Sequence, residues 1–112
     1  MDEKLRSRVE QSLRIRCKYP GKVPVIVRLC ETEKQLKPLK KNKFLINESS
    51  TLLKLIHILR KRMQLPQHHS IYLFTEDGSI LSVSSYMNLV YDMYSSDDGF
   101  LYLFIRSEET FG

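Results

Sequence analysis

Cysteine is scarce in this 112-residue chain. Cys17 and Cys30 are too few and too isolated to form a disulfide framework or a zinc site. No apolar run approaches the roughly 18 residues that span a bilayer. The opening Met1-Asp2-Glu3-Lys4-Leu5-Arg6 carries charge with no apolar stretch behind it, so it does not read as a secretory signal. Phosphate-loop and dinucleotide fingerprints are absent. So are internal repeats, low-complexity tracts and flexible linkers. His57, His68 and His69 have no cysteine or carboxylate at zinc-like spacing. No local motif pairs Cys17 with a histidine as a hydrolase would. Glycines interleaved with aromatics, the mark of a common RNA-binding sheet, are also missing. These absences predict a soluble, reduced, intracellular, single-domain protein that is not an enzyme and carries no cofactor or metal.

What the chain does have is an ordinary globular balance, 42% apolar and 28% charged residues, too apolar for a disordered segment. Its charge is unevenly placed. Residues 1–43 hold thirteen lysines and arginines against five acids, a net +8. Residues 44–112 hold five against eight, a net −3. A basic half of this kind suits nucleic acid, an anionic membrane surface or acidic peptides, or is simply a solvated face.

Residues 3–17 read as a helix with Leu5, Val9 and Leu13 on one side, stopped by Tyr19-Pro20-Gly21. The β-branched run Val23–Leu29 reads as a strand whose proline sits near its start, where a missing N–H is tolerated. Residues 31–40 are polar and loop-like, and Lys43–Ile46 is a short second strand. Thr51 can cap a helix to about Met63, with Leu52, Leu55, Ile56, Leu59 and Met63 buried. Ile71–Phe74 is a strand, and Glu76-Asp77-Gly78-Ser79 a turn. Ser84 or Ser85 can cap a helix through Tyr94, with Met87, Val90, Tyr91 and Tyr94 as core candidates. Asp97-Asp98-Gly99 turns into Phe100–Ile105, the strongest strand in the sequence. The polar residues from Arg106 onward read as a loose tail. This order predicts an α+β β-grasp fold: a four-stranded mixed sheet packed on a long helix, with an additional N-terminal helix.

Five blocks carry a resemblance: Lys18-Tyr19-Pro20-Gly21-Lys22-Val23-Pro24-Val25-Ile26-Val27, Lys43-Phe44-Leu45-Ile46, Arg60-Lys61-Arg62, Asp98-Gly99-Phe100-Leu101-Tyr102 and Glu109-Thr110-Phe111-Gly112. In order and spacing, from about Leu13 onward, the chain resembles the ubiquitin-like autophagy modifiers of the GABARAP family. The resemblance implies a ubiquitin-like domain over residues 1–106 and a flexible conjugation tail over 107–112. It implies a modifier whose C-terminal glycine, Gly112, is activated, passed as a thioester to a conjugating enzyme and joined to the amine of phosphatidylethanolamine. The partners it implies are activating and conjugating enzymes, a processing or deconjugating cysteine protease, cargo receptors and phosphatidylethanolamine membranes. No nucleic acid is expected. The protein would be cytoplasmic, and on the autophagosome membrane once conjugated.

Glycine suits the transfer because a side chain at that carbon would crowd the channel where the carboxylate meets the nucleotide and then a cysteine. Gly112 is either the encoded end or the product of proteolytic processing. The second implied site binds motifs with an aromatic residue and, three positions on, an aliphatic one, as a strand added beside Lys43–Ile46. The aromatic pocket would take Ile15, Pro24, Ile26, Leu45, Phe100 and the stem of Lys43. The aliphatic pocket would take Phe44, Ile46, Leu55 and Ile58, while Lys41, Lys43 and Arg60 meet flanking acids. Asn47 and Ser50 replace a common proline and leucine, Gln11 a frequent glutamate, and Arg28 a frequent acid; these bear on partner choice. Two further readings are a modifier attached to protein lysines and an unconjugated peptide-binding or cytoskeletal adaptor.

Overall fold

The computed structural model describes residues 2–109. Its elements run α1 (Glu3–Lys18), β1 (Lys22–Leu29), β2 (Lys43–Asn47), α2 (Leu52–Met63), β3 (His69–Phe74), α3 (Met87–Tyr94) and β4 (Leu101–Glu109). The strands form one sheet in the order β2-β1-β4-β3. The β1–β2 and β3–β4 pairs are antiparallel, and the central β1–β4 pair is parallel. The most apolar strand is thus interior and β2 lies at an edge, as the β-grasp reading expects.

Alternation along the strands sorts residues onto two faces. Val23, Val25 and Val27 of β1 join Phe44, Ile46, Leu101, Leu103 and Ile105 in the main core under α2 and α3. The α2 stripe falls as expected at Leu52, Leu55, Ile56 and Leu59, which are buried, whereas Met63 at its end is only half-buried. That helix ends on Gln64 at φ 52°, and the Leu65 N–H reaches back to the Arg60 carbonyl. This left-handed cap satisfies carbonyls that would otherwise be orphaned.

Three expectations need correction. In α1 the buried position is Ser12, while Leu13 is 53% exposed. The helix is turned so that Arg8 and Ser12 face the Asp98 loop: Arg8 Nε lies 3.2 Å from Asp98 Oδ2, and Ser12 Oγ donates to the Asp98 carbonyl at 2.6 Å. The N-cap of α3 is Tyr86 with no side-chain bond, so neither Ser84 nor Ser85 caps it. The strand β4 continues four residues past Ile105 to Glu109, pairing with β3 at Tyr72↔Arg106, Ile71↔Ser107, Ser70↔Glu108 and His69↔Glu109. Residues 107–109 therefore belong to the sheet.

The prolonged strand has its own stabiliser. Beyond Leu29, β1 no longer covers β4, and the Glu33 carboxylate takes that place. It accepts the Ser107 N–H at 2.6 Å and the Ser107 hydroxyl, together with the N–H groups of Gln35 and Leu36. Burial opposes ionisation of Glu33, but these bonds to the charged form outweigh it and hold the carboxyl below its ordinary value.

Candidate functional site

The open side of β2 is the feature that stands ready for a ligand. Pro24 has no N–H and sits opposite Leu45, which requires a pair without ladder bonds. The flanking Val27 N–H to Asn42 carbonyl and Glu48 N–H to Gly21 carbonyl bonds fix the same phase. Phe44 and Ile46 consequently turn their main-chain groups inward to β1. Lys43 and Leu45 turn theirs outward, as unpaired edge donors and acceptors.

An apolar cluster lies on each face of this edge. On the α1 face a small cluster joins Ile26, Phe100 and Tyr102, flanked by half-buried Ile15 and Phe104. Pro24 is fully buried, and half-buried Leu45 lies across from it. The Lys43 ammonium stands 5.8 Å from the Phe100 ring centroid and 3.2 Å from Gln11 Oε1. On the α2 face, Phe44, Ile46 and Leu55 are buried, with Ile58 half-exposed beside them.

The structure thus brings together the residues expected of an aromatic pocket, and separately those of an aliphatic one. Lys41 is exposed on the loop before β2, lining a cavity of about 750 Å³ with Arg62 and Leu39. Arg60 is not brought to the edge. Its guanidinium donates to the Pro66 carbonyl at 2.9 Å and to the His69 carbonyl, bracing the turn from α2 into β3. The cation beside the α2-side cluster is Arg62, lying 4.7 Å over the Phe44 ring. Helical spacing contains that signal, since Arg62 follows Leu55 by seven residues and Ile58 by four.

Asp98, also missed as a structural support, braces the α1-side cluster. It is buried, accepts the Phe100 N–H at 2.9 Å and the Tyr102 hydroxyl, and pairs with Arg8. Burial first, then donation to Asp98, pushes the Tyr102 phenol up to about 12. Gly99 completes the support at φ +87°, where a Cβ would come within 2.3 Å of Ser12 Oγ. Gly112 and the two residues before it lie outside the described residues. Among the described residues no three His, Cys, Asp or Glu side chains gather as a metal site, and no helix is long and apolar enough to cross a membrane.

A mixed β-grasp sheet bearing an N-terminal helix on its outer face defines a ubiquitin-like protein. Residues 7–112 match the family model described as autophagy protein Atg8, ubiquitin like. Human microtubule-associated protein 1 light chain 3 gamma is 39% identical over 105 residues, covering 94% of this chain and 71% of the relative. Autophagy-related protein 8 of Pichia angusta is 34% identical over 105 residues, covering 94% and 82%. The crystal structure of Trypanosoma brucei ATG8 superimposes with a TM-score of 0.87 at 30% identity, covering 96% of this chain and 91% of that one. The chain belongs to the Atg8 family of ubiquitin-like autophagy proteins, whose members are modifiers and not enzymes.

Proposed function

We propose that this chain is conjugated through Gly112 to phosphatidylethanolamine and, on the autophagosome membrane, recruits receptors by their aromatic-x-x-aliphatic motifs. The observation that carries the receptor half is the open edge of β2 with an apolar cluster on each of its faces. In an added strand, residues three apart point to opposite faces. An aromatic side chain would pack on the α1-side cluster while the aliphatic one, three positions on, packs on the α2-side cluster. Main-chain bonds to Lys43 and Leu45 would supply affinity, and Lys43, Lys41 and Arg62 would favour acidic flanks.

The conjugation half rests on family membership and on Gly112. Its carboxylate would displace pyrophosphate from a nucleotide, a cysteine thiolate would then displace the nucleotide, and the lipid amine would displace the thiol. The lipid's two acyl chains make anchoring stable where one is marginal. Activating and conjugating enzymes, and a cysteine protease that removes the lipid again, are the partners this chemistry requires.

The test is the mass of whatever is covalently bound to Gly112 in starved cells, together with titration of the full chain by a motif peptide. A phosphatidylethanolamine adduct that Gly112→Ala abolishes, and peptide affinity that Lys43→Glu reduces, are expected. An adduct on protein lysines, or normal membrane partition without Gly112, overturns the conjugation half.

A further inference from the structure

A cavity of about 750 Å³ opens between the loop before β2 and the last turn of α2. Its lining is cationic: Lys37, Lys40, Lys41 and Arg62 stand around Leu36 and Leu39, and no carboxylate lines it. All four cations are exposed, and among the described residues none of them pairs with a carboxylate. From Lys34 to Lys43 the chain holds five lysines and no acid, and α2 ends on Arg60, Lys61 and Arg62. The acid nearest in sequence, Glu33, is already held by Ser107 and by the N–H groups of Gln35 and Leu36. Four like charges around one opening repel one another, and an anionic partner relieves that repulsion.

Position identifies the partner. Strands β1 and β4 run parallel, so the loop that follows β1 leaves the sheet at the end where β4 finishes. Helix α2 ends there too: Arg60 donates to the Pro66 and His69 carbonyls, and His69 opposes Glu109. Gln35, on the cavity wall, places its Oε1 3.3 Å from His69 Nε2. The cavity and the root of the C-terminal tail therefore share one end of the molecule. Three residues beyond Glu109 reach at most about 11 Å, so conjugation of Gly112 would bring a bilayer to this end. An acidic peptide or a second copy of the chain has no such tether, and a second copy would set these cations against their own counterparts. The run Leu36-Lys37-Pro38-Leu39-Lys40-Lys41 also suits a headgroup layer, since its lysines can reach phosphates while half-buried Leu36 and Leu39 lie between them.

We propose that this cavity is a membrane contact, in which Lys37, Lys40, Lys41 and Arg62 hold the phosphates of anionic phospholipids and orient the conjugated domain on the bilayer. The orientation rests on the attachment proposed for Gly112, whereas the attraction to anionic headgroups does not. Lys37 and Lys40 lie outside the set assigned to the flanks of a motif peptide, so they test the contact cleanly.

The experiment sediments the unconjugated full chain, at low ionic strength, with vesicles of equimolar phosphatidylcholine and phosphatidylserine and with vesicles of phosphatidylcholine alone. Binding to the first and not the second is expected, with a loss of about tenfold on Lys37→Glu with Lys40→Glu. Lys4→Glu with Arg6→Glu makes the same change in net charge at exposed positions of α1 and should cost far less. An unchanged melt, and unchanged affinity for a motif peptide without acidic flanks, confirm the fold and the β2 edge in both variants. Glycerophosphoserine, the headgroup without its chains, should not compete at matched concentration. Equal binding to the two vesicles, no binding to either, equal losses from the two double variants, or full competition by the free headgroup overturns the proposal. So does a dependence on Lys37 and Lys40 that acidic-flanked peptides show and vesicles do not. Vesicle binding that persists where no lipid adduct forms on Gly112 would sink the attachment and leave the headgroup contact standing.

Discussion

The two faces of the sheet are built on different principles. Beneath α2 and α3 the packing is closed and apolar, with Leu52, Leu55, Leu59, Leu101, Leu103 and Ile105 removed from water. Beneath α1 the apolar cluster is small, and the helix is held largely by polar contacts from Arg8 and Ser12 to the Asp98 loop. The contrast separates two tasks. Dense burial fixes the fold, whereas the small cluster under α1 depends on directed polar contacts at one end of the helix. A helix attached by a few directed bonds can also be tuned without disturbing the main core.

The sharpest way to break this contrast is to cut each side in turn. In the closed core, Leu103→Ala should cost about 2–5 kcal/mol in chemical denaturation. A loss under about 1 kcal/mol would show that this face is not the principal support. On the other face, Asp98→Ala should cost about 1–3 kcal/mol, because it strands the Tyr102 hydroxyl and the Phe100 N–H. It should also speed hydrogen exchange in α1 while exchange in α2 stays slow; uniform acceleration would erase the distinction between the faces.

Arg60→Glu and Lys43→Glu sharpen the comparison at the edge. The first should lower stability by about 0.5–1.5 kcal/mol, since the His69 and Pro66 carbonyls each lose a guanidinium donor while Pro66 keeps the His69 N–H. The second should leave stability within about 0.5 kcal/mol but weaken an acidic-flanked motif peptide about tenfold, or about 1.4 kcal/mol. Equal effects of the two on peptide affinity would return Arg60 to the site. The smallest effect concerns Glu33. Its carboxyl is lowered in the folded state, so its contribution is present above the ordinary value of 4.5 and lost as pH falls through the lower, folded value. The Ser107 amide shift should therefore titrate with a midpoint below 4.5; a midpoint at or above it would dissolve the clamp.

Element order and type were legible from periodicity, because each helix and strand buries a stripe its own spacing declares. The α1 stripe was not: Leu5, Val9 and Leu13 suggest a hydrophobic face, but the helix turns toward a buried aspartate eighty-six residues from Ser12. No local pattern contains that partner. The end of β4 was hidden similarly, since Arg106–Glu109 is polar and pairs only because β3 and Glu33 flank it. The peptide site at β2 rests on resemblance; apolar alternation alone could not distinguish half-buried Leu45 from Phe44 in the core. The tripeptide Arg60-Lys61-Arg62 was recognised as a block, yet only helical phase assigns Arg62 to the ligand side and Arg60 to the brace.

The length of β4 sets a limit on the chemistry proposed for Gly112. From Glu109, three further residues span at most about 11 Å even fully extended. An acyl-transfer enzyme must therefore press close against the end of the β3–β4 ladder, or unzip its last rungs. Each rung it opens lengthens the arm and surrenders a pairing, so the sheet acts as a ruler for how near that enzyme must approach.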